Sequence, residues 1–252
     1  MNYKTVHIKK LFIIPLFILI SVINTFSQET GDVPIYVTPE QRYARELEIL
    51  YDEIALSFGF LRDNSGVKGK AMGDAFVAIA DDGAAINANN AGIGQIRQPQ
   101  LLSYIDLDVD GTSFLGYVHP IRDLSSFGSS VIYTRNPEYG EKITVVTTAY
   151  SWALQTEGNA YLGIGAKGFS RQSDAFDTNG VAADIGLWIK FWNSNLSLGI
   201  VAQNIGPEMK LKVNDLGALL KRANLESSLL PYYLALPNKV PLPYSVKFGM
   251  AY

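Results

Sequence analysis

The stretch GVAADIGLWIK, Gly180 to Lys190, decides the fold. Val181, Ala183, Ile185, Leu187 and Ile189 alternate with Ala182, Asp184, Gly186 and Lys190. A period of two puts one set on each face of a pleated strand, here one apolar face and one small or polar face. The same rhythm holds downstream. In LSLGIVAQ, Leu196, Leu198, Ile200 and Ala202 alternate with Ser197, Gly199 and Gln203; in the last segment Tyr244, Val246, Phe248, Met250 and Tyr252 alternate with Ser245, Lys247, Gly249 and Ala251. Upstream, Leu101, Ile105, Leu107 and Val109 alternate with Tyr104, Asp106 and Asp108, and weaker alternation runs through Thr112 to His119, Ser125 to Tyr133, Lys142 to Trp152 and Tyr161 to Phe169. The alternating segments after Pro99 therefore read as the strands of an all-β, antiparallel fold.

Two motifs inside these strands imitate ligand sites. DLDVDG, Asp106 to Gly111, matches the opening of an EF-hand loop, but that loop needs flanking helices and a bidentate acid at its twelfth position, which here is Tyr117. It reads as a strand end followed by an Asp-Gly turn. GIGAKG, Gly163 to Gly168, matches a dinucleotide fingerprint, yet Phe169-Ser170-Arg171 continues the alternation where a helix would have to begin. It reads as small residues along a strand. His119 is the one histidine after the N-terminal leader, no nucleophile elbow occurs, and Asp81-Asp82 before Gly83 reads as turn and cap chemistry. The reading is non-enzymatic, with no catalytic residue, cofactor or metal site.

The chain opens with Lys4, Lys9 and Lys10 ahead of an apolar run from Leu11 to Ile23 broken by Pro15, the layout of a secretory signal peptide over 1–27. A spanning helix needs roughly 20 apolar residues, more than this run supplies. From 28 to 64 a helical segment is expected: Thr38-Pro39 starts it, and Tyr43, Leu47, Leu50, Tyr51, Ile54 and Phe58 form one stripe. From 65 to 98 the composition turns to Gly, Ala, Asn and Asp, a compact plug in which Met72 to Ile79 forms one short helix or strand. The segment 99–252 holds the strands, with a helical insertion at about 213–238 that Asp215 caps.

There are no cysteines, so disulfides, thiol chemistry and lipid attachment at a cysteine are excluded. Without the leader the chain carries 18 Lys+Arg against 24 Asp+Glu, a net charge of −6, which does not suit nucleic acid. Strands with one apolar face suit either a soluble periplasmic ligand-binding β-domain, apolar side inward, or a transmembrane β-barrel, apolar side outward. The export signal, the small and polar second face, and aromatics near strand ends (Tyr150, Trp152, Tyr161, Phe169, Trp188, Phe191 and Trp192) favour the barrel.

AMGDAFVAIADDGAAINANNAGIG also resembles the signature of FadL-like outer-membrane barrels of the PorV/PorQ type, in which a glycine-rich MGGAFVA.ADD run leads to a WNPAG turn. The likeness continues through FLGYVHPI, SSVIY, GVAADIGL, LSLGIVAQNIGP and PLPYSVKFGMAY. Where the family has Trp-Asn-Pro this chain has Ala88-Asn89-Asn90, without the proline's rigidity. The resemblance implies a barrel in the cell outer membrane whose N-terminal segment folds inside as a hatch, with Met72, Gly73, Asp74, Ala75, Phe76, Asp81, Asp82, Asn89, Ala91 and Gly92 as hatch residues. Its implied partners are outer-membrane lipid and a small hydrophobic molecule that the protein passes, or secretion-system proteins if it serves type IX secretion as an accessory.

Roughly 150 residues follow the plug, enough for around eight tilted spans. A closed eight-stranded barrel is filled by its own side chains and has no room for such a plug. Either the hatch lies outside the barrel or the chain is the N-terminal part of a longer one. Lys247, Gly249 and Tyr252 match the first fixed positions of the terminal strand pattern polar-x-Gly-x-x-aromatic-x-aromatic, which would run two residues further.

Overall fold

The computed structural model describes residues 45, 48–50, 54, 58–61, 66–106, 111–122, 124–137, 140–155, 159–191, 195–225 and 239–252, all within one compact unit, Tyr43–Tyr252. The expected signal peptide, Leu107 to Asp110, Trp192 and residues 226–238 of the insertion lie outside the described residues.

The alternating segments form the expected strands. They are β1 (Gln100–Ile105), β2 (Thr112–Arg122), β3 (Ser125–Asn136), β4 (Glu141–Ala153), β5 (Ala160–Gln172), β6 (Phe176–Lys190), β7 (Ser197–Ile205), β8 (Met209–Val213), β9 (Lys239–Val240) and β10 (Ser245–Ala251). From β1 to β7 each strand pairs antiparallel with the next, and β10 pairs with β7. β8 takes over from β7 alongside β6, and β9 pairs with β8. β7 with β8, and β9 with β10, are thus two halves of interrupted strand lines, which gives eight lines across the sheet. GIGAKG lies within β5, as the alternation requires. The Asp106 N–H donates to the Thr112 carbonyl at 2.7 Å where β1 ends and β2 begins; the expected Asp-Gly turn falls partly on residues outside the described ones.

Among the described residues no ladder joins β1 to β10, so the all-β, antiparallel fold is as expected but the sheet is open and does not itself close into a barrel. The plug explains the difference: it lies against one face of the sheet, in space that an eight-stranded closure would fill with strand side chains.

That inner face carries Gly128, Ser130, Thr147, Ser151, Gly163, Lys167, Asp184, Gly186, Ser197, Gly199 and Gln203. The other face exposes Leu101, Leu115, Val131, Val146, Ile164, Val181, Ile185, Ile200, Val246, Phe248 and Met250. Among the aromatics expected at the interfaces, Tyr150 and Trp152 do point outward and stack on each other. Tyr161, Phe169 and Trp188 instead point inward and are buried. Each faces a neighbour without a side chain: Tyr161 packs on Gly94, the Phe169 ring covers Gly180, and Trp188 stands opposite Gly199 in the ladder.

A second layer lies against the inner face beside the plug. Residues 45, 48–50 and 54 are helical, and Leu50, Ile54 and Phe58 of the expected stripe are buried with Leu61 against Ile143, Val145, Phe169 and Phe176. Fully burying such side chains stabilises by about 1.5–3 kcal/mol each. The insertion supplies a helix, Leu216–Arg222, whose N-terminus is capped as expected: Asp215 Oδ1 accepts from the Gly217 and Ala218 N–H groups at 2.8 and 3.2 Å. Its Leu219 and Leu220 join the same core.

The plug itself has short helices α1 (Gly66–Ala71) and α2 (Ala85–Ala88), followed by a 3-10 turn, Gly92–Gln95. With α1 and α2 so assigned, the helix Leu216–Arg222 is α3. Residues 72–79 are consecutive turns, neither the helix nor the strand expected. Asp74 and Ala80 take positive φ of 64° and 37°, which stops either regular form from propagating.

Candidate functional site: the hatch and a break in the sheet

Hydrogen bonds from four strand lines, β3, β4, β6 and β7, hold the 72–94 segment. Ser130 of β3 accepts from Asn87 Nδ2 at 2.8 Å, and Thr147 of β4 donates to Asn87 Oδ1 at 2.7 Å. Ser151 donates to the Ala91 carbonyl at 2.8 Å. Trp188 Nε1 and Ser197 Oγ both donate to the Ala78 carbonyl, at 2.6 and 2.9 Å. Gln203 Nε2 donates to the Asn87 and Ala88 carbonyls. These groups are buried, where an unpaired donor or acceptor costs about 1–3 kcal/mol, so the network specifies one seating of the segment.

Small residues on the strands make room for it. Gly128 pairs with Ala149, Gly163 with Gly186, and Gly199 with Gly249, laying a shallow trough across the sheet. A Cβ at Gly163 would stand 2.7 Å from Ala91 Cα, and one at Gly199 would stand 2.9 Å from Ala78 Cα. Both would meet backbone, which cannot swing aside.

The expected hatch residues fall into two groups. Met72, Gly73, Asp74 and Ala75 sit on an exposed turn, away from the trough. Phe76, Asn89, Ala91 and Gly92 are buried against the sheet. Asn89 Nδ2 donates to the Val77 carbonyl at 2.9 Å and to the Leu187 carbonyl at 3.2 Å, so this asparagine joins plug to sheet. Asp81 forms an exposed ion pair with Lys68 at 2.6 Å. Asp82 accepts from the Ala84 N–H at 2.8 Å, the turn role expected of it. Burial pushes the Asp82 carboxyl up, with neighbouring Asp81 adding to the effect, while the Ala84 N–H and Lys68 oppose it.

The sequence reading did not foresee the charges beneath the plug. Lys167 and Asp184, 0% and 2% exposed at their side chains, pair at 2.6 Å between β5 and β6. Lys167 Nζ also donates to Asn204 Oδ1 at 3.2 Å, and the Asn204 N–H donates to Asp184 Oδ1 at 2.8 Å. Further along, Arg171 donates to Glu141, lies over the Phe176 ring at 4.5 Å, and shares Glu141 with Arg222. The available signal was the presence of Lys167, Arg171 and Asp184 in the small-residue phase of two successive strands.

Beside Asn204 the sheet is interrupted. Pairing of β7 with β10 stops at Gln203–Ser245 and resumes between β8 and β9 at Met209–Val240. The unpaired residues include Pro207 on one line and Pro241 and Pro243 on the other, and none of these has an N–H to donate to a ladder. A cavity of about 320 Å³ occupies the break, lined by Ile205, Pro241, Leu242 and Tyr244 with Asn204, Gly206 and Glu208. Its predominantly apolar lining suits an apolar ligand or chain better than a polar one. Among the described residues no cluster of acids and histidines could hold a metal ion.

Comparison with family models, with curated proteins and with solved structures yielded no match.

Proposed function

We propose that this chain builds part of an outer-membrane β-barrel wall with a resident hatch, and that it handles or passes small hydrophobic molecules. The outward apolar face carries this reading. Soluble sheets with one apolar face turn it inward; here Val181, Ile185 and Phe248, at 60%, 49% and 74% exposed, point away from the plug, as do their counterparts on the other strands. Buried polar groups line the opposite face. Lipid is the environment in which such a surface is stable.

Among the described residues β1 and β10 each pair on one side only, which supports a wall completed by further strands and leaves the hatch its space. The cavity at the interrupted ladder supports an apolar cargo.

Two measurements test the reading in sequence. Fractionation of the source cell is expected to place the protein in the outer membrane, extractable only with detergent; recovery in the soluble periplasm overturns the barrel and favours the ligand-binding domain. Uptake of hydrophobic fluorescent tracers is then expected to fall on deletion and return on complementation, and unchanged uptake across several tracers overturns the cargo.

A further inference from the structure

The outer face of the sheet changes character toward one end. On β4 the outward residues run Trp152, Tyr150, Thr148, Val146, Thr144 and Lys142, and on β3 they run Phe127, Ser129, Val131, Tyr133 and Arg135. The ladder sets Phe127 opposite Tyr150 and Val131 opposite Val146, then Arg135 opposite Lys142. Across the sheet the last apolar row is Val131, Val146, Gly168 and Val181. The next outward row is Tyr133, Thr144, Ser170, Asn179, Lys210 and Lys239. Met209 and Leu211 of β8 and Val240 of β9 point into the core, so Lys210, Lys212 and Lys239 point outward.

This arrangement sets like charges directly opposite each other twice, Arg135 against Lys142 and Lys210 against Lys239, which destabilises a sheet left to itself. Among the described residues no carboxylate stands within ion-pair distance of these cations or of Lys212. Asp177 is the register partner of Lys212, yet its carboxylate accepts from the Ser173 N–H at 3.4 Å. The chain without its leader is acidic, so the cluster is not the overflow of a basic composition. At the opposite end of the β3–β4 ladder stand Tyr150 and Trp152, stacked on each other. A local rule broken twice in one band, with no compensation inside the sheet, marks a place where an outside anion supplies it.

We propose that this band, with Arg135–Lys142 and Lys210–Lys212–Lys239 as its two points of charge, binds the phosphate groups of anionic lipids. The proposal rests on the membrane-facing reading above and names the lipid that this end of the sheet meets. Acyl chains lie along Val131, Val146 and Val181, and the outward positions beyond them carry the charge. A phosphate brings a full charge and several acceptor oxygens; the Arg135 guanidinium takes two of them at once, and the lysines act as point charges beside it. A surface of anionic headgroups attracts such cations within a Debye length, and salt screens the attraction.

Native mass spectrometry of the purified full-length protein in detergent, titrated with phosphatidylglycerol and with net-uncharged phosphatidylcholine, reads the binding. The protein is expected to bind phosphatidylglycerol about fivefold or more tightly than phosphatidylcholine, and Arg135→Gln/Lys142→Gln or Lys210→Gln/Lys239→Gln to lower that preference about fivefold or more. Lys190→Gln, which removes an exposed cation at the other end of β6, is expected to leave it within about twofold. Lys142→Arg and Lys210→Arg keep the charge and are expected to keep the preference. The substituted positions are exposed, and circular dichroism confirms folding of each variant. Equal affinity for the two lipids in the unaltered protein, an unchanged preference in both glutamine variants, or an equal loss in Lys190→Gln would each overturn the proposal. Displacement of bound phosphatidylglycerol by inorganic phosphate would assign the band to soluble phosphate and overturn the lipid. Fractionation separates this proposal from the reading beneath it: recovery in the soluble periplasm overturns both, whereas an outer-membrane protein without headgroup preference loses the band alone.

Discussion

On β6, Asp184, Gly186 and Trp188 face the plug while Val181, Ile185 and Leu187 face away, and the two sets obey opposite rules. The inner set is polar or small, yet buried, and its polar groups are hydrogen-bonded. The outer set is apolar and largely exposed. The strand teaches that hydrophobic residues mark a face without saying which way it points. Inner-face stability comes from polar satisfaction and close backbone approach; the outer face requires a matching environment.

The largest expected effect breaks the inner rule. Lys167→Met leaves Asp184 buried without its cation and should destabilise by about 3–5 kcal/mol, while the double variant Lys167→Met/Asp184→Leu should recover much of the loss. Urea unfolding of the refolded protein measures both, and equal losses would mean that the charges are not paired when folded.

Next comes the outer rule. Ile185→Arg should cost about 2–4 kcal/mol in lipid vesicles if this face meets the middle of a bilayer. In water an exposed substitution of this kind is worth within about 0.5 kcal/mol, so a neutral result in vesicles would break the comparison at its outer face.

Gly163→Ala sharpens the inner side by size alone. The new methyl group would press on the backbone of Ala91, and about 1–3 kcal/mol is expected, with increased protease cleavage within 72–94. An equally stable, equally resistant variant would show that the trough does not seat the plug.

The smallest effect concerns Asp82. Its folded-state carboxyl lies above the ordinary value of 3.8, because burial disfavours the charge. The folded state therefore holds the proton more tightly than the unfolded chain, and Asp82 contributes stability at low pH that is lost as pH rises through the raised value. Asp82→Asn should flatten that part of the stability profile; an unchanged slope would assign it to other groups.

The strands and their two faces were legible because a period of two survives any tertiary arrangement. GVAADIGLWIK and the last segment both have the alternation read from them. The Asp215 cap was legible because its partners lie two and three residues away. The Lys167–Asp184 pair was not, because it depends on the register that sets Lys167 opposite Ala182 and Gly165 opposite Asp184, and alternation does not fix register. Tyr161, Phe169 and Trp188 were assigned to the outer face from their places near strand ends, although Gly94 of the plug and Gly180 and Gly199 of the facing strands left room inside. Pro207, Pro241 and Pro243 carried the signal for the broken ladder, but their lateral alignment appears only once the strands are paired.

The plug precedes in sequence every strand that grips it. Its bonds to Ser130, Ser151, Trp188 and Ser197 span 43, 60, 110 and 119 residues, whereas consecutive strands zip to immediate neighbours. Pairing of this long range forms slowly, after local hairpins. The segment is therefore the last piece to be seated: the hairpins form among themselves, and the trough can receive its early-synthesised occupant only once distant strands stand side by side.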